Sequence, residues 1–288
     1  MKLRGFFITL EGIDGAGKTA HFRRLVPYLR RRGYRVCATR EPGGTEVGER
    51  IRSILVTAAQ PVRVRKGRRA DSRGGDKKGI LDPMAELALM YAARAQHVAE
   101  VIRPALERGE IVVSDRYNDS SLAYQGHGRR LGEAVVREMD RVVCGATQPD
   151  LTLVLDLDPR VALKRASHRD ARQNAKPGRF EAEGLSFEQR VRAGYQALAR
   201  REPARVRLIA SDRPHEEVEA DIRQVVEERL REGESGRQLP VKSAQPERIV
   251  AAAEIVRGKN GKVKLKGKRQ KAKGKRQKSE AKRQETSG

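Results

Sequence analysis

Short apolar runs alternate with longer amphipathic segments along the chain as far as Leu230. Continuous apolar runs of this kind, separated by helical patterns, are typical of parallel strands that are covered on both faces. The runs lie at Phe6–Leu10, Arg35–Ala38, Ile111–Ser114, Leu151–Leu155 and Val206–Ile209. The pattern predicts an α/β fold, with a parallel sheet of about five strands and helices on both faces.

Two of the intervening segments have clear helical signals. A helix over Pro83–Leu106 is predicted by a proline in its first turn and by Gly109 just beyond its end. A second helix, beginning at His215, is predicted by apolar residues that recur at helical spacing, namely Val218, Ile222, Val225 and Leu230.

Two segments lack this pattern. Residues 62–79 have no apolar period and carry eight Lys/Arg against two Asp/Glu, which predicts a mobile basic insertion. From Arg237 to the end there are 17 Lys/Arg against 4 Asp/Glu, and a Lys-Arg-Gln triplet recurs every seven residues without apolar partners. This composition excludes a coiled coil and predicts a disordered basic tail over residues 233–288, after a globular domain over residues 1–232.

Charge and cysteine content add to this division of the chain. The formal net charge is +24, and most of it lies in the insertion and the tail. No run of about eighteen apolar residues and no signal peptide is present, so we expect no membrane span and a cytoplasmic protein. Cys37 and Cys144 stand in apolar surroundings without metal-ligand spacing, which favours two buried, reduced thiols.

A phosphate-binding loop directly follows the first predicted strand. The segment matches G-x-x-x-x-G-K-[ST] at every fixed position, with a helix-compatible segment after it. Its backbone N–H groups and helix N-terminus predict an ATP-phosphate site, in which Lys18 reaches the β- and γ-phosphates and Thr19 ligates Mg²⁺. The predicted ATP-binding residues are Gly12, Ile13, Asp14, Gly15, Ala16, Gly17, Lys18 and Thr19. No N-K-x-D or T-K-x-D motif is present, which argues against a GTPase.

Three further strings resemble those of bacterial thymidylate kinases, in the same order and at similar spacing. They are T-R-E-P-G-G-T from Thr39, Y-A-A-R-A-Q-H from Tyr91 and D-R-Y-N-D-S-S-L-A-Y-Q-G from Asp115. The resemblance covers residues 5–230. It implies a P-loop kinase fold, an ATP-dependent enzyme that converts dTMP into dTDP for dTTP synthesis, and a homodimer.

The phosphate end of the acceptor site involves three residues. Asp115 ends a predicted strand beside the loop, where its carboxylate can hold a Mg²⁺-bound water; a helix cap or a solvated strand end is the alternative. The resemblance implies that Arg116 and Arg40 grip the dTMP phosphate, a task suited to the planar guanidinium. Because Arg116 is adjacent to Asp115, we expect its side chain to point elsewhere.

The nucleoside end of the site rests on the resemblance alone. It implies that Asp14 accepts a hydrogen bond from the sugar 3′-hydroxyl and that Tyr124 crowds the 2′ position. It also implies that Arg94 binds the thymine edge, with Ser121 and Gln125 near the same base. Family members usually have a phenylalanine that stacks on thymine where this chain has Met90, so either Met90 packs on the base or Tyr91 supplies the ring.

An arginine-rich segment over residues 166–186 is predicted to be a lid. Phosphoryl transfer needs water excluded and cations brought to the transferring group when the site closes. The loop itself contains no arginine, so the chain resembles the subgroup with lid arginines, and among Arg165, Arg169 and Arg172 we favour Arg169. A solvated basic loop without a catalytic part is the alternative. Gly178 stands where the D-R-F-E string of the family has aspartate.

The predicted catalytic set is therefore Lys18, Asp115, Arg116 and Arg169, with Thr19 and Asp115 as the Mg²⁺ ligands. Two other functions are considered. The same fold supports kinases for other nucleoside monophosphates. A nucleic-acid-binding protein with an inactive P-loop domain is the second alternative, and non-specific contact of the basic tail with nucleic acid is compatible with either activity.

Overall fold

A five-stranded, all-parallel sheet forms the centre of the part of the chain that the structure describes. The computed structural model describes residues 5–57, 81–173, 180 and 183–234, the side chains of residues 57, 169–173, 233 and 234 excepted. The strand order is β2-β3-β1-β4-β5, so β1 lies between β3 and β4. The strands are β1 Phe6–Glu11, β2 Val36–Arg40, β3 Ile111–Asp115, β4 Leu151–Asp156 and β5 Val206–Ala210. The predicted fold class and all five predicted strands are confirmed.

Helices connect the strands. They are α1 Lys18–Arg31, α2 Glu46–Thr57, α3 Pro83–His97, α4 Arg103–Glu107, α5 Asn118–Ser121, α6 Glu133–Val143, α7 Pro159–Gln173, α8 Leu185–Arg201 and α9 His215–Glu234. Two π-helical segments, Val98–Ile102 and Leu122–Gly128, continue α3 and α5. Within the described residues, no helix combines the length and the apolar character that a membrane span requires.

The helix predicted over Pro83–Leu106 is present but is not uniformly α-helical. Its start is capped by Asp82, whose side chain accepts hydrogen bonds from the backbone N–H groups of Met84 and Ala85. The π-helical turn Val98–Ile102 lies shortly before Pro104, a residue that has no N–H for the α-helical pattern. The proline and glycine signals thus located the ends of the helix, whereas the change of helical pitch carried no sequence signal.

The core lies on both faces of the sheet. All six residues of β1 are buried, and so are the first four of β3 and the first five of β4. Because side chains alternate between the two faces of a strand, burial at consecutive positions requires cover on both sides. The apolar stripe of α9 packs into this core at Val218, Ile222, Val226 and Leu230. Val226 rather than the predicted Val225 is the fully buried residue of that turn.

Several predictions concern residues outside those described. The basic insertion over residues 62–79 lies outside them, as does the tail from residue 235 onward. The predicted lid begins within α7, and most of the remainder is likewise outside. Both cysteines are unpaired, as predicted, but only Cys144 is buried, whereas two buried thiols were expected. Cys37 is half-buried, because β2 is the edge strand of the sheet.

Candidate active site

A cleft of about 950 Å³ lies at the carboxyl edge of the sheet. The loops that follow β1, β2 and β3 meet there, since parallel strands end at the same edge and ligands of open α/β sheets bind outside it. Seven basic and three acidic side chains of the described residues line the cleft: Lys18, Arg23, Arg40, Arg52, Arg94, Arg116 and Arg165 against Asp14, Glu41 and Asp115. This excess of positive charge suits an anionic ligand.

The phosphate-binding loop has the backbone that its glycines permit. Gly12 and Gly15 both have positive φ angles, +130° and +85°. A Cβ atom at Gly12 would lie 2.5 Å from the backbone oxygen of Leu155, and one at Gly15 would lie 2.4 Å from that of Ala162. The loop therefore packs against neighbouring backbone so closely that no side chain fits at either position.

Lys18 begins α1 and is almost fully buried. Its Nζ donates to the backbone oxygen of Ile13 at 2.8 Å and lies 3.6 Å from Asp14 Oδ1. Burial lowers the pKa of Lys18, and the nearby Arg116 guanidinium lowers it further, whereas the carboxylates around it oppose the shift. The ammonium group of Lys18 thus contacts the phosphate-binding loop itself, and the residue also lines the cleft.

Thr19 and Asp115 meet beside the loop. The Thr19 Oγ1 hydroxyl donates to Asp115 Oδ2 at 3.0 Å, although the two residues are 96 positions apart. Their proximity follows from the sheet order, because β1 and β3 are hydrogen-bonded neighbours with Leu10 paired to Asp115. A hydroxyl and a carboxylate oxygen therefore face the same point at the mouth of the loop.

Arg116 and Asp115 have different hydrogen-bond partners, although the two adjacent residues line the same cleft. Arg116 has an unusual backbone conformation. Its φ angle is +75°, a left-handed conformation that breaks the alternation of strand side chains, and both residues line the cleft. The guanidinium donates to Asp14 Oδ1 at 2.5 Å and to the Tyr124 hydroxyl at 3.1 Å. It also donates to Ser120 Oγ at 3.1 Å. Arg116 thus links the phosphate-binding loop to the segment after β3.

Arg40 lies at the end of β2, also in the cleft. One terminal nitrogen, Nη2, donates to both carboxylate oxygens of Glu49 at 2.9 Å. Sequence reasoning missed Arg52 of α2 and Arg23 of α1, which line the same cleft. Neither belongs to a recognisable string, and only the packing of the helices brings them there. Burial and the neighbouring Arg40 lower the pKa of the Arg52 guanidinium.

Arg94 is buried, with 2% of its surface exposed, and is held by a dense network. Its Nε donates to Glu41 Oε2 at 2.8 Å, and its terminal nitrogens donate to Asn118 Oδ1 and to the backbone oxygen of Tyr117. Glu41 also accepts from His97 Nδ1 at 2.9 Å. Burial alone would raise the pKa of Glu41, but Arg94 and His97 bring that pKa below its ordinary value. The plane of Arg94 is therefore fixed where it borders the cleft.

Met90 and Tyr91, the two candidates for contact with the base, differ in burial. Met90 lines the cleft. Tyr91 is 1% exposed, and its hydroxyl lies 2.5 Å from Asn118 Oδ1 and 2.8 Å from the backbone oxygen of Val136. Tyr91 therefore belongs to the core behind Arg94, whereas Met90 is the residue that a ligand in the cleft can contact.

The remaining acceptor-side residues come from the segment after β3. Ser121, Tyr124 and Gln125 all line the cleft and are all buried. The Tyr124 ring packs edge-on against Phe180 at 5.0 Å, between ring centroids, and Phe180 stacks on Phe187 of α8 at 6.1 Å. Tyr124 is thus both a cleft residue and part of an aromatic cluster.

The lid arginines are only partly described. Arg165, on α7, lines the cleft and donates to the backbone oxygen of Ser211 at 3.2 Å. Arg169 and Arg172 also belong to α7, but their side chains lie outside the described residues. Most predicted site residues therefore line one cleft, but Gly12, Ile13 and Ala16 of the loop do not, and Ile13 and Ala16 are buried in the core. The backbone of Arg169 lies one helical turn beyond Arg165.

Glu11 is a buried carboxyl that sequence reasoning did not identify. It ends β1 and accepts hydrogen bonds from the backbone N–H of Tyr117 at 2.7 Å and from the hydroxyls of Ser120 at 2.5 Å and Tyr195 at 2.9 Å. Burial raises the pKa of Glu11 to about 7, with a contribution from Asp119. The carboxyl ties the loop after β3, which carries Arg116, to α8.

Comparisons with known proteins agree on one family. The thymidylate kinase family model matches residues 10–222. A thymidylate kinase of Solidesulfovibrio magneticus is 47% identical over 205 residues, which cover 70% of this chain and 90% of that protein. A thymidylate kinase of Deinococcus radiodurans is 44% identical over 226 residues, which cover 78% and 98% of the two chains.

A solved structure is similar as well. The crystal structure of thymidylate kinase from Ehrlichia chaffeensis has a TM-score of 0.57 and 29% sequence identity, and the match covers 77% of this chain and 98% of that one. The family match spans the phosphate-binding loop and the cleft and ends within α9. With sequence, fold and site geometry in agreement, the chain belongs to the thymidylate kinase family.

Proposed function

We propose that this cleft transfers the γ-phosphoryl group of ATP to dTMP and so produces dTDP. The observation that carries the proposal is the convergence on one cleft of the phosphate-binding loop, the paired Thr19 and Asp115, and the residues of the three family strings. The family match and the relatives at 40–47% identity support dTMP as the acceptor and ATP as the donor.

The donor side consists of the loop and Lys18. Backbone N–H groups of the loop and the N-terminus of α1 bind the phosphates, and Lys18 leaves Ile13 to follow the transferred group. Thr19 and Asp115 fit a Mg²⁺ ion, which prefers hard oxygen ligands and uses few protein groups beside phosphates and waters. When bound there, Mg²⁺ neutralises charge that develops on the phosphate oxygens.

The acceptor side positions dTMP opposite the loop. Arg116 and Arg40 bind its phosphate, and Arg52, from the same wall of the cleft, adds positive charge.

Asp14, which accepts a hydrogen bond from Arg116, faces the 3′-hydroxyl of the dTMP sugar, and the Tyr124 ring crowds the 2′ position. Met90 packs on the base, whose edge contacts Arg94, Ser121 and Gln125.

Chemistry requires little beyond positioning and charge neutralisation. An oxygen of the dTMP phosphate attacks the γ-phosphorus in line, and the β–γ bridging oxygen leaves with ADP. No general base is needed, because the attacking phosphate is already ionised. Closure of the predicted lid over residues 166–186 excludes water and brings Arg169 to the transferring group.

The test is a steady-state assay with ATP across dTMP, dUMP, dCMP and dGMP. We expect the highest kcat/KM for dTMP. A higher value for another acceptor would identify a different nucleoside monophosphate kinase. Absence of turnover with all four, together with salt-dependent binding to DNA, would instead favour the nucleic-acid-binding alternative.

We also propose a homodimer, on the basis of the family resemblance. Light scattering of the purified chain should give twice the mass of one 32.2 kDa chain. A monomeric mass across the micromolar range would contradict it.

A further inference from the structure

A buried carboxylate lies behind the base end of the cleft. Glu86, in the first turn of α3, has no exposed surface. Its Oε1 accepts a hydrogen bond from Gln125 Nε2 at 2.6 Å, and its Oε2 lies 3.2 Å from Arg129 Nη2. Glu86 does not line the cleft itself, whereas Gln125 does. The carboxylate therefore acts on the cleft through the Gln125 side chain.

The contact determines which end of the Gln125 amide faces Glu86. A carboxylate paired with a guanidinium accepts hydrogen bonds and does not donate them, so only the NH₂ group of the amide can face it. The carbonyl oxygen Oε1 is consequently the end of the amide that a ligand in the cleft meets. Without Glu86, the two orientations of the amide would be nearly isosteric.

This orientation, together with Arg94, defines a hydrogen-bonding pattern. Arg94 has donors only, and it is held in place by Glu41 and Asn118. Gln125 then offers an acceptor, and the Ser121 hydroxyl can take either role. A donor beside an acceptor complements the O4 and N3–H of thymine or uracil. Cytosine has the opposite pattern, with an amino group at C4 and an acceptor at N3.

We propose that Glu86 is a specificity-determining positioning residue, which holds the Gln125 amide so that the cleft accepts a pyrimidine with N3–H and rejects cytosine. The proposal rests on the proposed function, because it assumes that the base of the acceptor lies against Gln125. It assigns Glu86 no contact with the substrate and no part in phosphoryl transfer.

Glu86→Gln is the discriminating variant. Its single carbonyl oxygen should turn to the Arg129 guanidinium, since a charged donor makes the stronger hydrogen bond. Its NH₂ group then faces Gln125, which must rotate its amide to accept, and NH₂ replaces Oε1 in the cleft. We expect the ratio of kcat/KM for dTMP to that for dCMP to fall about tenfold or more, because a buried site with mismatched polar groups loses discrimination.

An internal control comes from dUMP, which has the same hydrogen-bonding edge as dTMP and lacks only the methyl group. The dTMP-to-dUMP ratio should stay at its wild-type value in Glu86→Gln. Both ratios are measured on one preparation, so a reduced folded fraction cancels. Glu100→Gln is the matched control, because Glu100 accepts from Gln96 in an equivalent but exposed pair. It should change neither ratio.

Glu86→Met is a second variant of similar length, which cannot accept from Gln125 and leaves its amide free to rotate. The dTMP-to-dCMP ratio should fall here as well, by less than in Glu86→Gln. Wild-type ratios in both variants, or a parallel loss of the dTMP-to-dUMP ratio, would overturn the proposal while leaving the proposed function intact. A wild-type enzyme with no preference for dTMP over dCMP would overturn both.

Discussion

Two buried ionisable side chains flank the phosphate-binding loop, and they differ in what burial does to them. Lys18 follows the loop, and burial lowers its pKa, whereas Glu11 precedes the loop, and burial raises its pKa to about 7. In each case the charged form is disfavoured by loss of water. A ligand with phosphate groups can compensate Lys18, but Glu11 is enclosed by protein hydrogen bonds.

Replacing Lys18 with Ala should lower kcat by a factor of about 10² or more, because the ammonium group stabilises charge that develops on the transferred phosphoryl group. The fold should be retained, since the protein loses only the aliphatic stem and one hydrogen bond to the backbone oxygen of Ile13. Steady-state kinetics on the variant and thermal melting provide the measurement. Lys164→Ala, at an exposed position of α7, is the matched control and should keep wild-type kcat. Near-wild-type activity of Lys18→Ala would exclude the proposed role.

Glu11 should make the folded state less stable as pH rises. Its pKa rises from an ordinary value of 4.5 to about 7 on folding, so the folded protein holds the proton more tightly than the unfolded chain does. Stability is therefore lost between pH 4.5 and about pH 7, by about 3 kcal/mol. Glu11→Gln cannot titrate and should lack this loss. Urea unfolding of both proteins across this range tests it, and parallel stability curves would contradict the assignment.

At the scale of elements, a network of buried hydrogen bonds joins strands that are distant in sequence. Asp119 of α5 accepts two hydrogen bonds from the Arg205 guanidinium, at 2.7 and 3.1 Å, and one from Thr152 of β4 at 2.7 Å. Thr152 in turn lies 2.9 Å from Thr9 of β1. The start of β5 is thereby tied to the segment that carries the acceptor-side residues.

Asp119→Ala should lower the free energy of unfolding by about 3 kcal/mol, because it leaves Arg205 without its buried partner. Urea denaturation measures the loss. The comparison variant is Glu138→Ala, which removes an exposed ion pair to Arg141 with a 2.6 Å contact and should have no measurable effect. Equal losses in the two variants would mean that burial does not distinguish these pairs.

At the scale of the whole molecule, charge is unevenly distributed. The net charge is +24, and residues 237–288 account for +13 of it. Those residues lie outside the described part of the chain, and the family match ends at residue 222. The predicted site residues all precede the tail, so removal of the tail charge should leave catalysis unchanged.

Deletion of residues 237–288 should leave kcat and the KM for dTMP within about twofold, because no group that binds substrate is removed. The same deletion should weaken binding to duplex DNA, and binding by the full-length chain should fall steeply with salt as counterions are released. Activity assays and fluorescence anisotropy at several salt concentrations measure the two effects. Equal DNA binding by the full-length and truncated chains at low salt would show that the tail has no such role.

The sequence by itself determined the sheet and the presence of the site. Strand positions follow from continuous apolar runs, because a strand between two layers needs apolar residues on both faces. The phosphate-binding loop can be recognised from its glycines, because its backbone path requires glycine at fixed positions. The family strings specify the acceptor. These signals are local, so each can be read from a few consecutive residues.

Only the tertiary structure decided how the side chains of the cleft are held. It placed Met90 rather than Tyr91 in the cleft, brought in Arg52 from α2, and turned Arg116 toward Asp14 through a positive φ angle. It also placed Glu86 against Gln125 across 39 positions of sequence. Such contacts depend on how helices pack against one another over long separations, and no periodicity or motif in the chain encodes that packing locally.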